Sequence, residues 1–263
     1  MTGAGDLATS VSRLGQDRSR WLIALDFDGT LAPIVPRPEE ARLEPVLAPL
    51  LARLRTTVGC LAVVSGRPRD FLEAQLGSLV TLTLGSYGLE MPPELSRRGS
   101  PTRFDAGAAT DHLSAARAAL EPLLPRGARL EVKPFGLVLH HRGAGPDFDE
   151  LAAAKLMSRV ADEHHLDLVP GRMVLELKPH HAVDKGWALG ILAAWVQPSA
   201  IVYVGDDLGD VPAWEATRQL GERIPTLAVG IRSPELAEAS LARCDLVLSD
   251  RSLLASFLES LLP

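Results

Sequence analysis

LIALDFDGTLAPI, residues 22–34, runs apolar as far as Leu25, then presents two aspartates one residue apart and turns at Gly29 and Thr30. An apolar run of this length reads as a buried strand. Burying a carboxylate without a partner is strongly unfavourable, so two at a strand end imply a cation, a proton or an open cleft. The carboxyl ends of strands are also where open α/β sheets bind ligands. A plainer reading makes Asp26 and Asp28 turn residues, because Asp-Gly is a common turn pair. The rest of the chain has to decide between the two.

Bulk properties narrow the choice of class. With 263 residues, 46% hydrophobic and 23% charged, and a mean hydropathy of +0.11, the chain has the composition of a globular protein with a large core. No apolar run reaches membrane-spanning length, and residues 1–20 lack the apolar middle of a signal peptide, so they are expected to form a loose tail or a short helix. Cys60 and Cys244 sit far apart in apolar segments, which suits reduced core thiols and a cytoplasmic location. A net charge of −6 argues against a nucleic-acid binder with a broad basic surface. An anionic substrate remains compatible if cations gather in one cleft.

Beyond the opening stretch, Leu43, Leu47, Leu50, Leu51 and Leu54 recur at helical spacing behind Glu44-Pro45. A strand at Cys60–Val64, a helix carrying Phe71, Leu72 and Leu76, and a strand at Val80–Leu84 complete a strand-helix alternation typical of a doubly wound parallel sheet. From about Pro101 the rhythm changes. Leu113, Ala116 and Leu120 mark a helix, RLEVKPFGLVLHHR two strands about a turn at Pro134–Gly136, Phe148 to Val160 a second helix, and DLVPGRMVLELK two more strands. A helix at Val183–Val196, strands at Ala200–Val204, Thr226–Val229 and Asp245–Leu248, and a helix at Leu253–Leu262 resume the first pattern. The expected organisation is therefore a tail (1–20), a Rossmann-like α/β core (21–103 and 181–263) and an inserted α+β cap (104–180).

Four signals fall at strand ends or helix starts: DFDGT (26–30), SGR (65–67), DKG (184–186) and GDDLGD (205–210). Taken singly, Ser65 reads as a helix cap, Lys185 as a solvated helix residue and GDD as a turn. Gathered on one sheet edge, Asp26, Asp28, Asp206, Asp207 and Asp210 would repel one another or raise one another's pKa. A hard divalent cation offsets that, and oxygen-only ligands suit Mg²⁺ sharing its shell with a phosphate. Lys185, Ser65 and helix N-termini would then meet the phosphoryl oxygens.

This order of motifs resembles the haloacid dehalogenase superfamily of phosphohydrolases, which have a doubly wound core and a lid inserted between the second and third motifs. LDFDGTLAPIVPRPEEA, VVSGRPRDFL, GSYGLE, EVKPFGLVLHHR, GRMVLELKP and GDDLGD extend the resemblance to the trehalose-6-phosphate phosphatases, over nearly the whole chain from Trp21. The resemblance implies Asp26 as nucleophile through an aspartyl-phosphate and Asp28 as general acid and base. It also implies Mg²⁺ on the Asp26 side chain, the Asp28 backbone carbonyl and Asp206, with Asp207 and Asp210 beside or behind the ion. Ser65 and Lys185 would hold phosphoryl oxygens. Arg67, Glu131, Lys133, Arg142 and Glu176 would bind substrate. The chain is expected to act as a monomer with a functional link to a trehalose-phosphate synthase, and its charge and hydropathy predict no nucleic-acid or membrane partner.

Residue pattern alone is less specific in the cap. Glu176 and Lys178 alternate with Met173, Leu175 and Leu177, and Glu131 and Lys133 with Leu130 and Val132, as in any half-solvated sheet. His140 and His141 are unassigned, one of them suiting a buried core position. Tyr87 stands where the family usually has histidine, Gly209 and Val211 where it has Thr and Glu, and Asp184 where Asn is common. Other readings of the chain are a phosphatase for another sugar phosphate, a non-catalytic sugar-phosphate sensor, and a phospho-accepting signalling domain.

Overall fold

In a computed structural model, residues 4–95, 106–171, 173–180, 183–233 and 236–263 are described. The chain divides into two units, Met1–Gly99 with Val183–Pro263, and Ser100–Ala182. The first unit opens with α1 (Ala4–Ser12), β1 (Trp21–Leu25), α2 (Ala48–Thr57), β2 (Cys60–Val64), α3 (Arg69–Leu76) and β3 (Leu82–Leu84). The second contains α4 (Ala106–Leu120), β4 (Arg129–Lys133), β5 (Gly136–His140), α5 (Glu150–Glu163), β6 (Leu166–Gly171) and β7 (Val174–Pro179). The first unit then resumes with α6 (Lys185–Val196), β8 (Ala200–Gly205), α7 (Val211–Leu220), β9 (Thr226–Ile231), α8 (Glu238–Leu241), β10 (Leu246–Leu248) and α9 (Leu254–Ser260).

Six parallel strands in the order β10-β9-β8-β1-β2-β3 form the core sheet. Its chain order reverses between β1 and β8, the topological switch point where such sheets hold ligands. Every residue of β1 is buried, because both faces of the sheet are covered. Side-chain alternation splits the strand between two cores. Trp21, Ile23 and Leu25 pack with Leu61, Val63, Val202 and Val204 under Leu51, Leu54 and Phe257. Leu22 and Ala24 pack with Cys60, Ala62, Val64 and Tyr203 under Leu189, Leu192 and Trp214. Val11 of α1 and Leu14 just beyond it are buried in the first of these cores, so the N-terminal stretch contributes apolar packing.

The second unit is a four-stranded antiparallel sheet, β4-β5-β7-β6. Leu137, Leu139, Leu175 and Leu177 share a core with Leu113 and Leu120 of α4 and Met157 and Val160 of α5. The α5 helix begins later than the apolar spacing predicts, because Asp149 caps it by accepting from the Ala152 N–H at 2.9 Å. Phe148 is left outside and stacks on the buried His141 ring at 5.0 Å. Among the described residues no helix is long and apolar enough to cross a membrane.

Candidate active site

Sheet register starts the site. Leu25 lies opposite Val204 and the Asp26 N–H donates to the Val204 carbonyl at 2.9 Å, so Asp26 comes level with the end of β8, where Asp206 follows Gly205. Asp26 has the parity of Leu22 and Ala24, on the face that carries Tyr203 and α6. Asp184 caps α6 by accepting from the Trp187 N–H at 2.8 Å. That cap sets Lys185 at the first helical position, where its Nζ meets Asp26 Oδ1 at 2.8 Å and Asp210 Oδ1 at 2.7 Å.

Asp210 is a strut. Its Oδ1 accepts from Lys185 Nζ at 2.7 Å and from the Tyr203 hydroxyl at 2.6 Å. Its Oδ2 accepts from the N–H groups of Asp206 at 2.9 Å and Asp207 at 3.0 Å. Burial pushes this carboxyl up, but Lys185 and the hydrogen bonds outweigh it and hold it below the usual carboxylate range. Asp26 goes the other way. Burial lifts it well above that range, and Asp210, Asp207 and Asp206 add to the rise against the pull of Lys185. Asp206 is pushed up to about 8, by burial first and then by Asp210 and Asp207.

Asp26, Asp206 and Asp210 each present a carboxylate oxygen, all within 4.8 Å of one another. With four donors already on Asp210, the oxygens of Asp26 and Asp206 are the ones left for a cation. Thr30 Oγ1 lies 3.5 Å from Asp206 Oδ1. At Gly29, where φ is +77°, a Cβ would fall 1.9 Å from Asp206 Oδ2, so only glycine lets the two strand ends approach. All-oxygen donors, a surplus of buried negative charge and a glycine-lined approach fit a hard divalent ion.

Asp28 faces a different partner. Arg67 Nε donates to Asp28 Oδ2 at 2.6 Å and Arg67 Nη2 to Asp28 Oδ1 at 2.7 Å, while Nη1 donates to the Pro38 carbonyl at 2.7 Å. Ser65, buried at the end of β2, accepts from the Arg67 N–H at 3.3 Å through Oγ and from the Tyr87 N–H at 2.9 Å through its carbonyl. Its hydroxyl hydrogen stays available to an oxygen ligand. Ser86 and Tyr87 both take positive φ, +48° and +60°, a costly pair for non-glycine residues. Glu90 holds that turn, accepting from the Ser86 hydroxyl and, at 3.2 Å, from the Arg69 N–H.

In the second unit, Glu131, Val138, Glu176 and Val169 line up across the sheet. Lys133 Nζ meets Glu176 Oε1 at 3.1 Å and Lys178 Nζ meets Oε2 at 3.4 Å. Burial raises the Glu176 pKa, but the two lysines outweigh it and bring it below its ordinary value. His140 Nε2 lies 2.6 Å from Glu131 Oε2. Arg142 stands exposed in the turn after β5, and among the described residues no hydrogen bond or ion pair joins it to these side chains. Tyr203, Thr30 and Glu90 belong to the site without having been singled out. Tyr203 was legible only as a lone hydroxyl in an otherwise aliphatic strand.

An acidic, lysine-braced edge at the switch point of a doubly wound sheet, with an α+β insertion in the chain, places the molecule among haloacid-dehalogenase-type folds. A family profile described as trehalose-phosphatase matches residues 24–237, and the chain belongs to that family. A trehalose-phosphate phosphatase of Mycolicibacterium paratuberculosis is 36% identical over 207 residues, covering 74% of this chain and 51% of the relative. One from Mycobacterium tuberculosis is 33% identical over 233 residues, 85% of this chain and 57% of the relative. An M. tuberculosis protein described as an uncharacterized glycosyl hydrolase is 35% identical over 210 residues, 76% of this chain but 15% of its own length. The chain thus spans about half or less of these curated relatives. Among solved structures, the C-terminal domain of Candida albicans trehalose-6-phosphate phosphatase shares the fold with a TM-score of 0.73 at 22% identity, covering 97% of this chain and 94% of that one.

Proposed function

We propose that this chain hydrolyses trehalose 6-phosphate to trehalose and phosphate through an aspartyl-phosphate on Asp26, with Mg²⁺ as its cofactor. The observation that carries the reading is the buried Lys185 bridging Asp26 and Asp210, each within 2.8 Å. Lysine at that point holds the Asp26 carboxylate in place and brings positive charge to where a phosphoryl group must arrive. The sugar assignment rests on membership of the trehalose-phosphatase family.

The ion would be held by the Asp26 and Asp206 side chains and the Asp28 backbone carbonyl, with Asp207 beside them, and would supply charge neutralisation for the phosphoryl oxygens. An Asp26 oxygen bonds to phosphorus while the bond from phosphorus to the sugar oxygen breaks, and that oxygen takes its proton from Asp28. Asp28 then removes a proton from water as the water oxygen bonds to phosphorus and Asp26 is released. Ser65 and Lys185 donate to the phosphoryl oxygens throughout. Glu131, Lys133, Glu176 and Arg142 are assigned to the disaccharide, acidic oxygens accepting from sugar hydroxyls and cations meeting acceptors.

Phosphate release from a panel of sugar phosphates, with and without Mg²⁺, tests this. Turnover of trehalose 6-phosphate that disappears on chelation and in Asp26→Asn is the expected result. Preferential cleavage of another sugar phosphate overturns the substrate, and turnover that survives Asp26→Asn overturns the mechanism.

A further inference from the structure

Resemblance alone gives Arg67 to the substrate, but its neighbours give it to Asp28. The guanidinium meets Asp28 as a two-pronged fork, at 2.6 and 2.7 Å, and its third nitrogen is tied to the Pro38 carbonyl at 2.7 Å. Its Cζ lies over the Phe71 ring, 4.7 Å from the centroid, and Phe71 packs edge-on against Phe27, 5.7 Å away. Phe27 is fully buried between the two aspartates of the opening motif. Of the forked pair Arg67 is the more enclosed, its side chain 13% exposed against 30% for Asp28. Three nitrogens, one ring contact and partial burial therefore hold the arginine from several directions, and Asp28 is braced against it.

We infer that Arg67 is the positioning residue for Asp28, a partly buried fork that sets the plane of the carboxylate proposed to give and take the proton. This rests on the phosphatase reading above. A fork uses one lone pair on each carboxylate oxygen, and a carboxylate offers about four acceptor positions in all. The outward pairs remain for chemistry. The proton that leaves Asp28 for the sugar oxygen as the phosphorus–oxygen bond breaks, and the one it regains from water, occupy those outward positions while the plane stays fixed. Lysine cannot substitute, because a single ammonium is a point donor and defines no plane.

Arg67→Lys, with Arg67→Gln beside it, separates this role from a substrate contact. The fork predicts that kcat of Arg67→Lys on the sugar phosphate falls by about 10²-fold, within the range of a general acid–base contribution. KM and inhibition by inorganic phosphate should stay within about twofold, since only transition-state positioning is lost. With an aryl phosphate, whose leaving phenolate needs no proton, the loss in the first-turnover burst should be much smaller. In an Asp28→Asn background, adding Arg67→Lys should cost less than about twofold, because residues acting through one another are not additive. A parallel rise in KM and in the phosphate inhibition constant, eased by lysine relative to glutamine, would make Arg67 a substrate ligand and overturn the inference. Equal losses on both substrates with a lowered unfolding midpoint would reduce it to a structural contact, and additive losses with Asp28→Asn would also refute it. If the unaltered protein cleaves the aryl phosphate and another sugar phosphate but not trehalose 6-phosphate, only the sugar assignment fails and the fork is tested on the sugar that is cleaved. If it cleaves no phosphate ester, the phosphatase reading and the fork fall together.

Discussion

Asp207 and Asp210 lie in one short motif, yet their environments are opposite. The Asp207 side chain is 62% exposed and 3.9 Å from Lys185, while Asp210 has no exposed surface and sits 2.7 Å from it. Breaking a buried pair by removing one partner costs about 3–5 kcal/mol, against about 0–1 for a surface pair. Asp210→Ala should therefore lower unfolding stability by about 3–5 kcal/mol in a denaturant titration, and Asp207→Ala, which removes a cap of a short turn but no buried pair, by no more than about 0.5–2 kcal/mol. Tyr203→Phe deletes one donor to Asp210 and nothing else of comparable size. It should cost about 1.5–3 kcal/mol, as for a hydrogen bond to a charged group. The sequence places both carboxylates near the same edge through GDDLGD, but it contains no signal for which of them is buried. That follows from the Tyr203 hydroxyl and two loop N–H groups converging on Asp210. The Arg67–Asp28 fork was equally hidden, because it joins residues 39 apart.

At the scale of elements, legibility followed periodicity and packing. The run Cys60–Val64 is apolar throughout and becomes β2 with the same bounds, since a strand buried on both faces needs no alternation to declare itself. RLEVK and GLVLH pair as the antiparallel β4 and β5 around the turn that Pro134 and Gly136 suggest. Helices α7 and α8 were the elements that pattern did not announce. Helix α7 starts directly after the motif GDDLGD that carries the carboxylates, with Pro212 in its first turn, and its buried side is only Ala213, Trp214 and Thr217. Helices start a residue or two later than apolar spacing predicts where an aspartate caps them, as at Asp149 and Asp184. These caps make a matched pair of predictions. Each alanine substitution should cost about 0.5–2 kcal/mol of stability. Asp184→Ala should also slow phosphate release, because the cap sets where Lys185 enters the site, whereas Asp149→Ala should leave turnover intact. Unfolding curves and kcat measured on the same two variants check both halves.

Across the whole molecule, the two units have separate cores and should therefore respond to different perturbations. All four tryptophans, Trp21, Trp187, Trp195 and Trp214, belong to the first unit, so intrinsic fluorescence reports on the unit with the acidic cluster. A cation that binds only the folded state stabilises it by mass action, about 2.7 kcal/mol at a hundred times Kd. Mg²⁺ should raise the fluorescence-detected melting temperature, and Asp206→Ala should abolish that rise. Glu176 provides the complementary probe in the second unit. Lys133 and Lys178, outweighing burial, place its folded pKa below 4.5, and a carboxyl depressed on folding stabilises the native state above its unfolded pKa. That contribution is complete above about pH 5 and is lost as pH falls through the folded value. Glu176→Gln should therefore destabilise the second unit at neutral pH, with the gap to the unaltered protein closing below about pH 4. Hydrogen exchange in β5, β6 and β7 should show this loss of protection while tryptophan fluorescence does not move. If fluorescence and exchange shift together, the two cores unfold as one cooperative structure and the division into separately stabilised units fails.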